Sequence, residues 1–128
     1  MPRSRVPVSL YEPIGPYSHA IAAGGQVFIS GTAGVDPDTG ALAGEDAYAQ
    51  TRQVLRNIQS ILVAAGVTLE DVVYLQVNLR NMTDYSEMNR AYAEFFSEPY
   101  PARTVVGVAA LPKEGSLLTM NAVAIRGS

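Results

Sequence analysis

Apolar positions along the chain change their spacing several times, and each change marks an element. Residues 19–23 and 26–30 are short apolar segments separated by Gly24-Gly25. Two consecutive glycines supply positive φ at both turn positions, so the pair predicts a tight β-hairpin. The stretch that follows, GTAGVDPDTGALAGED at 31–46, is rich in Gly, Asp, Thr and Pro and reads as a loop. From about residue 45 to 65 the repeat lengthens: Tyr48, Thr51, Leu55, Ile58, Leu62 and Ala65 share one side, while Gln53, Arg56, Asn57 and Ser60 lie elsewhere. That is the spacing of an amphipathic helix, and Gly66 ends it.

The segment VVYLQVNL, residues 72–79, is β-branched and aromatic and alternates at its end, which predicts a strand. Asp84 and Glu87 then have capping-box spacing, with Asp in the place of Ser or Thr. They precede Tyr85, Met88, Tyr92 and Phe95 at helical spacing, so a second helix is expected that ends before Pro99. Two last strands, over about 103–111 and 117–125, flank a PKEGS loop. The order β-β-α-β-α-β-β predicts an α+β fold in two layers, with both helices on one face of a single sheet. The other face would leave Val, Ile and Leu uncovered in a monomer, so a homo-oligomer is expected.

Composition narrows the chemistry. A chain of 128 residues suits one domain, and 48% hydrophobic with 16% charged residues describes a folded chain, not a disordered one. The net charge is −3, and the nine Lys and Arg are scattered, with Lys113 the only lysine. Clustered cations that would neutralise phosphates are missing, so no nucleic-acid partner is expected. There is no cysteine and one histidine, His19, which rules out a disulfide framework and a Cys/His zinc site; no metal site is expected. No stretch approaches a membrane span, and no long apolar run follows the arginines of MPRSRVPVSLYEP. No membrane partner and a cytoplasmic location are the corresponding expectations.

One residue stands out against this background. Arg103 sits between a proline turn and the run TVVGVAAL, which reads as a strand buried on both faces. Two roles are open to it. It can begin a strand at the surface and pair with a carboxylate such as Glu98. Alternatively, it can grip an anion at a cavity edge, since a guanidinium matches a carboxylate with paired donors and stays charged when partly desolvated. Asn121 similarly interrupts the apolar LLTMNAVAI. If PKEGS closes an antiparallel hairpin with Leu111 opposite Leu117, then Arg103, Val105, Gly107, Thr119 and Asn121 share a face. A core amide bonded to backbone is the other role open to Asn121.

Six blocks carry a family resemblance: IGPYSHAI at 14–21, GQVFISG at 25–31, ILVAAG at 61–66, YSEMNRAYAEFF at 85–96, PARTVVGVAALPK at 101–113 and NAVAI at 121–125. Together, in order, they resemble the RidA family, also called the YjgF family. The resemblance implies a chorismate-mutase-like α+β fold and a homotrimer with a central barrel and a ligand site in each inter-subunit cleft. It also implies a cofactor-free deaminase that hydrolyses reactive 2-imino or enamino acids to 2-keto acids and ammonia. Arg103 matches the arginine that binds the substrate carboxylate, and Tyr17 the tyrosine offered by a neighbouring subunit. Gly31 and Val105 match positions that present backbone groups, and Asn89 an asparagine near the pocket. His19 lies where many relatives carry glutamine, and is read as structural or as a donor at the pocket rim.

Three residues depart from that pattern. Asn121 stands where deaminase-type members carry a glutamate that positions the attacking water; an amide oxygen accepts a bond from water but cannot take its proton. Thr32 replaces the glutamine usual after SG, and Val105 the cysteine often found two residues beyond the arginine. These changes keep a small carboxylate as the expected ligand and open two alternatives to the standard reaction. One is a substrate like those of aminomuconate-deaminase relatives, and the other is a regulatory trimer that binds small carboxylates without turnover. The ribonuclease or translation-inhibitor role attached to some relatives is disfavoured by the dispersed, net-negative charge.

Overall fold

The computed structural model describes residues 2–127. Its strands are β1 (Ser4–Arg5), β2 (Ala20–Ala23), β3 (Gln26–Ala33), β4 (Val72–Leu79), β5 (Ala102–Gly107) and β6 (Leu118–Ile125), and its helices are α1 (Ala47–Ala64) and α2 (Tyr85–Tyr92). The expected α+β order is present, with the short β1 added at the start. Gly24 and Gly25 take φ of 56° and 81°, which only glycine adopts freely, and they join β2 to β3 as a hairpin. Asp46 caps α1 by accepting from the Ala49 amide, and Gly66 follows the helix with φ of 80°.

All six strands form one mixed sheet in the order β1-β2-β3-β6-β4-β5. Val27, Ile29, Leu75, Val77, Leu79, Leu118, Met120 and Ala122 alternate onto one face, where they are buried with Val54, Leu55, Ile58, Ile61 and Leu62 of α1 and Met88 of α2. The opposite face carries Phe28 and Ile125, which are exposed, together with Tyr74, Gln76, Asn78, Thr119, Asn121 and Val123. No helix covers it.

Several sequence expectations are corrected. β5 and β6 do not form a hairpin: β6 lies between β3 and β4, and β5 pairs parallel with the far side of β4. The connection from 108 to 117 therefore spans β4 instead of turning back tightly. β5 is an edge strand, not one buried on both faces, and it stops at Gly107 because its partner β4 ends at Leu79. Arg103 aligns with Leu75 on the helix face, whereas Asn121 aligns with Gln76 on the open face, so the two do not point the same way.

The capping box at Asp84 does not form. A 3-10 turn, Met82–Asp84, leads directly into α2, and its cap is Asn81, whose side chain accepts from the Thr83 amide. Glu87 instead pairs with Arg90 on the next turn, while α2 itself ends at Tyr92, before Pro99 as expected. Asn57, placed by periodicity among the polar positions of α1, is buried; its Nδ2 donates to the carbonyls of Ala33 and Val35 and ties the helix to the loop after β3.

Candidate functional site

Arg103 leaves β5 on the helix face at the edge of the sheet and reaches under α2. Its Nη1 donates to Asn89 Oδ1 at 2.8 Å and its Nη2 to the Tyr85 hydroxyl at 3.2 Å. The guanidinium carbon lies 4.7 Å from the Tyr92 ring centroid and 5.8 Å from that of Tyr85. Met88 Sδ completes the cradle. Every one of these partners is neutral. Among the described residues Arg103 makes no ion pair, and Glu98 is not its partner; the ion pairs present are Arg52–Glu94 and Arg90–Glu87.

This arrangement fixes the fork while leaving its charge uncompensated. A guanidinium has five N–H donors, and the Nε hydrogen and one on Nη2 are not spent on Asn89 or Tyr85. Paired donors on one planar guanidinium are what grips a carboxylate. Arg103 opens onto a cavity of about 450 Å³ that it lines with Asn89, Tyr92, Ala93, Tyr100 and Pro101. Burial pushes the Tyr92 phenol pKa up, and the nearby Arg103 charge pulls partly the other way.

Tyr17 and Gly31 meet at a second cavity, about 270 Å³, also lined by Tyr11, Ile14, Lys113 and Thr119. It sits at the end of the open face where β3 bulges between Ile29 and Thr32. A Cβ on Gly31 would lie 3.9 Å from Thr119 Oγ1. Tyr11 donates to the Ala33 carbonyl, and burial first, then the neighbouring Tyr17, push its pKa up to about 12. Tyr11 is therefore a neutral phenol at any ordinary pH. His19 Nε2 lies 2.6 Å from the Tyr11 carbonyl, and an imidazole nitrogen facing a carbonyl must be the protonated one. Its ring also packs edge-on against Tyr11 at 5.1 Å, so His19 tethers the segment that walls this cavity.

The expected site residues thus fall into separate places. Arg103 and Asn89 are brought together, as are Tyr17 and Gly31. Val105 lies on the helix face two residues beyond Arg103 and packs against the core. Thr32 is buried, with its hydroxyl donating to the Ser30 carbonyl, and lines neither cavity. Asn121 stands on the open face, where Asn78 Nδ2 donates to its Oδ1 at 3.3 Å and to Thr119 Oγ1 at 3.2 Å. The acidic loop has local duties: Asp36 accepts from the Asp38 amide, and Asp46 caps α1. Among the described residues no group of His, Cys, Asp and Glu could hold a metal ion, and no helix is long and apolar enough to cross a membrane.

Tyr85, Tyr92 and Tyr100 around Arg103, and Gln76 and Asn78 beside Asn121, are additions that the sequence reading did not single out. The signal for the last pair was the alternation of polar 76 and 78 with apolar 75, 77 and 79 in β4.

The model of the endoribonuclease L-PSP family matches residues 8–126. A RutC family protein of Pyrococcus horikoshii is 49% identical over 115 residues, 90% of each chain. The 2-iminobutanoate/2-iminopropanoate deaminase of Homo sapiens is 40% identical over 114 residues, 89% of this chain and 82% of that protein. The crystal structure of E. coli TdcF with bound serine superposes with a TM-score of 0.89 at 34% identity, over 97% of this chain and 99% of the other.

Proposed function

The chain belongs to the endoribonuclease L-PSP family, that of the RutC, RidA and YjgF proteins, and from that premise we propose that it hydrolyses 2-imino acids to 2-oxo acids and ammonia. The observation that carries the reading is Arg103: a fork oriented by an amide and a phenol, beside a cavity, with no carboxylate of its own. A hydrogen bond to a charged group contributes about 1.5–3 kcal/mol, enough for two such bonds to select a small acid. Relatives named as 2-iminobutanoate/2-iminopropanoate deaminases supply the class of substrate, and the serine in TdcF is a small amino acid of matching size.

The chemistry asks little of the protein. The carbon of a protonated imine is already electrophilic, so holding it beside a water suffices for attack. Water adds to the C=N carbon, the resulting carbinolamine expels its nitrogen, and the iminium acid plus water becomes a 2-oxo acid plus ammonium. Arg103 anchors the carboxylate, Asn89 and Tyr85 hold Arg103, and the Tyr17 hydroxyl donates to the reacting end from another copy of the chain.

That last element requires an assembly. Arg103 and the Tyr17–Gly31–Asn121 region belong to opposite faces of one sheet, so one chain does not offer both to one small ligand. The exposed Phe28 and Ile125 on the uncovered face favour burial against further copies, in a homotrimer with its sites between subunits. A reading without turnover, as a carboxylate-binding regulator, is favoured by one observation: the Asn121 oxygen is engaged by Asn78 and offers no base.

The test is release of 2-oxobutanoate from 2-iminobutanoate generated in situ by an amino-acid oxidase. Acceleration over the spontaneous rate that disappears with Arg103→Ala supports hydrolysis at this site. Calorimetric binding of 2-oxobutanoate without acceleration supports the regulator, and the absence of both sinks the proposal.

A further inference from the structure

Three of the nine Lys and Arg side chains are partly buried: Arg52, Arg103 and Lys113. Arg52 has Glu94 as its ion-pair partner, whereas among the described residues Arg103 and Lys113 have no carboxylate. Lys113, the only lysine of the chain, lines the second cavity together with Tyr17, Thr119 and the apolar Ile14 and Pro112. Its backbone is held in place. Pro112 restricts the chain just before it, its carbonyl accepts from the Ser116 amide at 3.1 Å, and Gln50 Nε2 donates to the Gly115 carbonyl two residues on. The ammonium itself has no hydrogen bond or ion pair among the described residues. Glu12 is the one carboxylate on this cavity, and it is exposed and makes no ion pair with Lys113. A lysine ordinarily extends its charge into water; one held half-buried without a counter-charge is stabilised by an anion that enters the cavity.

Lys113 shares its cavity with Tyr17, while Arg103 lines the other one. In the assembly proposed above, the copy that offers Tyr17 to a neighbour's Arg103 therefore brings Lys113 toward the same ligand. A monocarboxylate neutralises only one of the two cations. Resting on that reading, we infer that Lys113 is a second anion-binding residue and that the ligands are dicarboxylic 2-imino and 2-oxo acids. The carboxylate beside the reacting carbon sits on Arg103, and the distal carboxylate sits on Lys113. The two cations suit these two ends differently. A planar guanidinium orients the acid where geometry matters for attack, whereas an ammonium donates to a carboxylate oxygen from many directions and tolerates the far end of a flexible chain.

Calorimetry on the full-length protein tests this by comparing 2-oxoglutarate and 2-oxoadipate with 2-oxopentanoate and 2-oxohexanoate, which carry a methyl group in place of the distal carboxylate. At least one dicarboxylate is expected to bind about tenfold more tightly than its methyl counterpart, equivalent to one charge-assisted hydrogen bond. Lys113→Met removes the charge from a stem of similar length and is expected to bring the preference to near parity, while Lys113→Arg should retain most of it. Arg103→Ala should weaken all four acids. Failure of all four to bind the native protein removes the carboxylate reading and this inference with it. Binding of the monocarboxylates with no preference for either dicarboxylate overturns the inference alone and leaves Glu12 as the counter-charge of Lys113. A preference that survives Lys113→Met, or dicarboxylate binding untouched by Arg103→Ala, overturns it as well. The native protein gives a check that needs no variant: with one lysine in the chain, 13C-lysine labelling yields a single Lys side-chain signal. That signal is expected to move further with the dicarboxylate than with its methyl counterpart, and equal movement at saturation overturns the assignment.

Discussion

Arg103 and Asn121 stand on opposite faces of one sheet, the first aligned with Leu75 and the second with Gln76 of the same central strand. Successive residues of a strand point to opposite sides, so no side-chain rotation brings the two onto one small ligand. If both act on one substrate, they come from different copies. Co-assembly of Arg103→Ala chains with Tyr17→Phe chains should then restore activity that neither homogeneous protein has. In a closed ring with sites between copies, random mixing recreates about a quarter of the native sites. Enzyme assays on co-refolded mixtures measure this, and no recovery would mean that Arg103 and Tyr17 do not act on one substrate.

The cradle of Arg103 makes a narrower prediction. Asn89 and Tyr85 hold a planar fork, and a lysine ammonium in its place would keep the charge but lose the paired donors. Arg103→Lys is expected to weaken 2-oxobutanoate binding by about tenfold, the loss of one charge-assisted bond. Asn89→Ala, which loosens the fork without touching its charge, should weaken binding less than Arg103→Ala does. Calorimetry of the three variants checks the ranking.

Local patterns carried much of this fold, and long-range pairing carried the rest. Gly24-Gly25, the three-to-four spacing of α1 and the branched run of β4 each depend on neighbours within a few residues, and each is present in the structure. The position of β6 is different in kind. Nothing near residues 117–125 says that the strand inserts between β3 and β4, and a hairpin with β5 satisfied the same alternation. That single pairing decided which face Asn121 takes. Arg103 was legible as a candidate site residue because a guanidinium is conspicuous beside an apolar strand. Its tyrosine cradle was not, because Tyr85 and Tyr92 also fit the apolar stripe of an ordinary helix. Asn57 was misplaced for the converse reason: periodicity has no knowledge of the Ala33 and Val35 carbonyls that a buried amide satisfies.

The raised pKa of Tyr11 fixes the sign of an alkaline transition. Its folded value is about 12 against an ordinary value of 10.0, so between these limits the folded state holds a proton that the unfolded chain has released. Stability is accordingly unaffected by Tyr11 below the unfolded pKa and declines as pH rises through the window from 10.0 to about 12. Denaturant titrations across this range should show the decline, and Tyr11→Phe should flatten it. A profile unchanged by Tyr11→Phe would move the cause to other groups, among them the buried Tyr92.

Gln50 is the residue through which the fold supports the second cavity. Its side chain is buried in α1, where Nε2 donates to the carbonyls of Gly44 and Gly115 and Oε1 accepts from the Leu117 amide. One amide thereby joins the helix to the loop before it and to the loop that enters β6. Its backbone matters as well: a Cβ on Gly34 would come within 2.7 Å of the Gln50 carbonyl oxygen, so the loop after β3 can lie against the helix only as glycine. Gln50→Leu keeps the volume and removes the bonds, leaving two carbonyls and one N–H without the side chain that now satisfies them. Buried groups stripped of partners cost about 1–3 kcal/mol each, and some will recover through water, so a net loss of about 3 kcal/mol is expected. Pro112 and Lys113, which wall the cavity just before Gly115, would lose their anchor in the same step. Urea denaturation and 2-oxobutanoate binding should therefore weaken together in Gln50→Leu. A core truncation far from both loops, Leu62→Ala, should lower stability by a similar amount while leaving binding intact. If the two variants affect binding equally, the cavity wall owes its position to overall stability and not to Gln50.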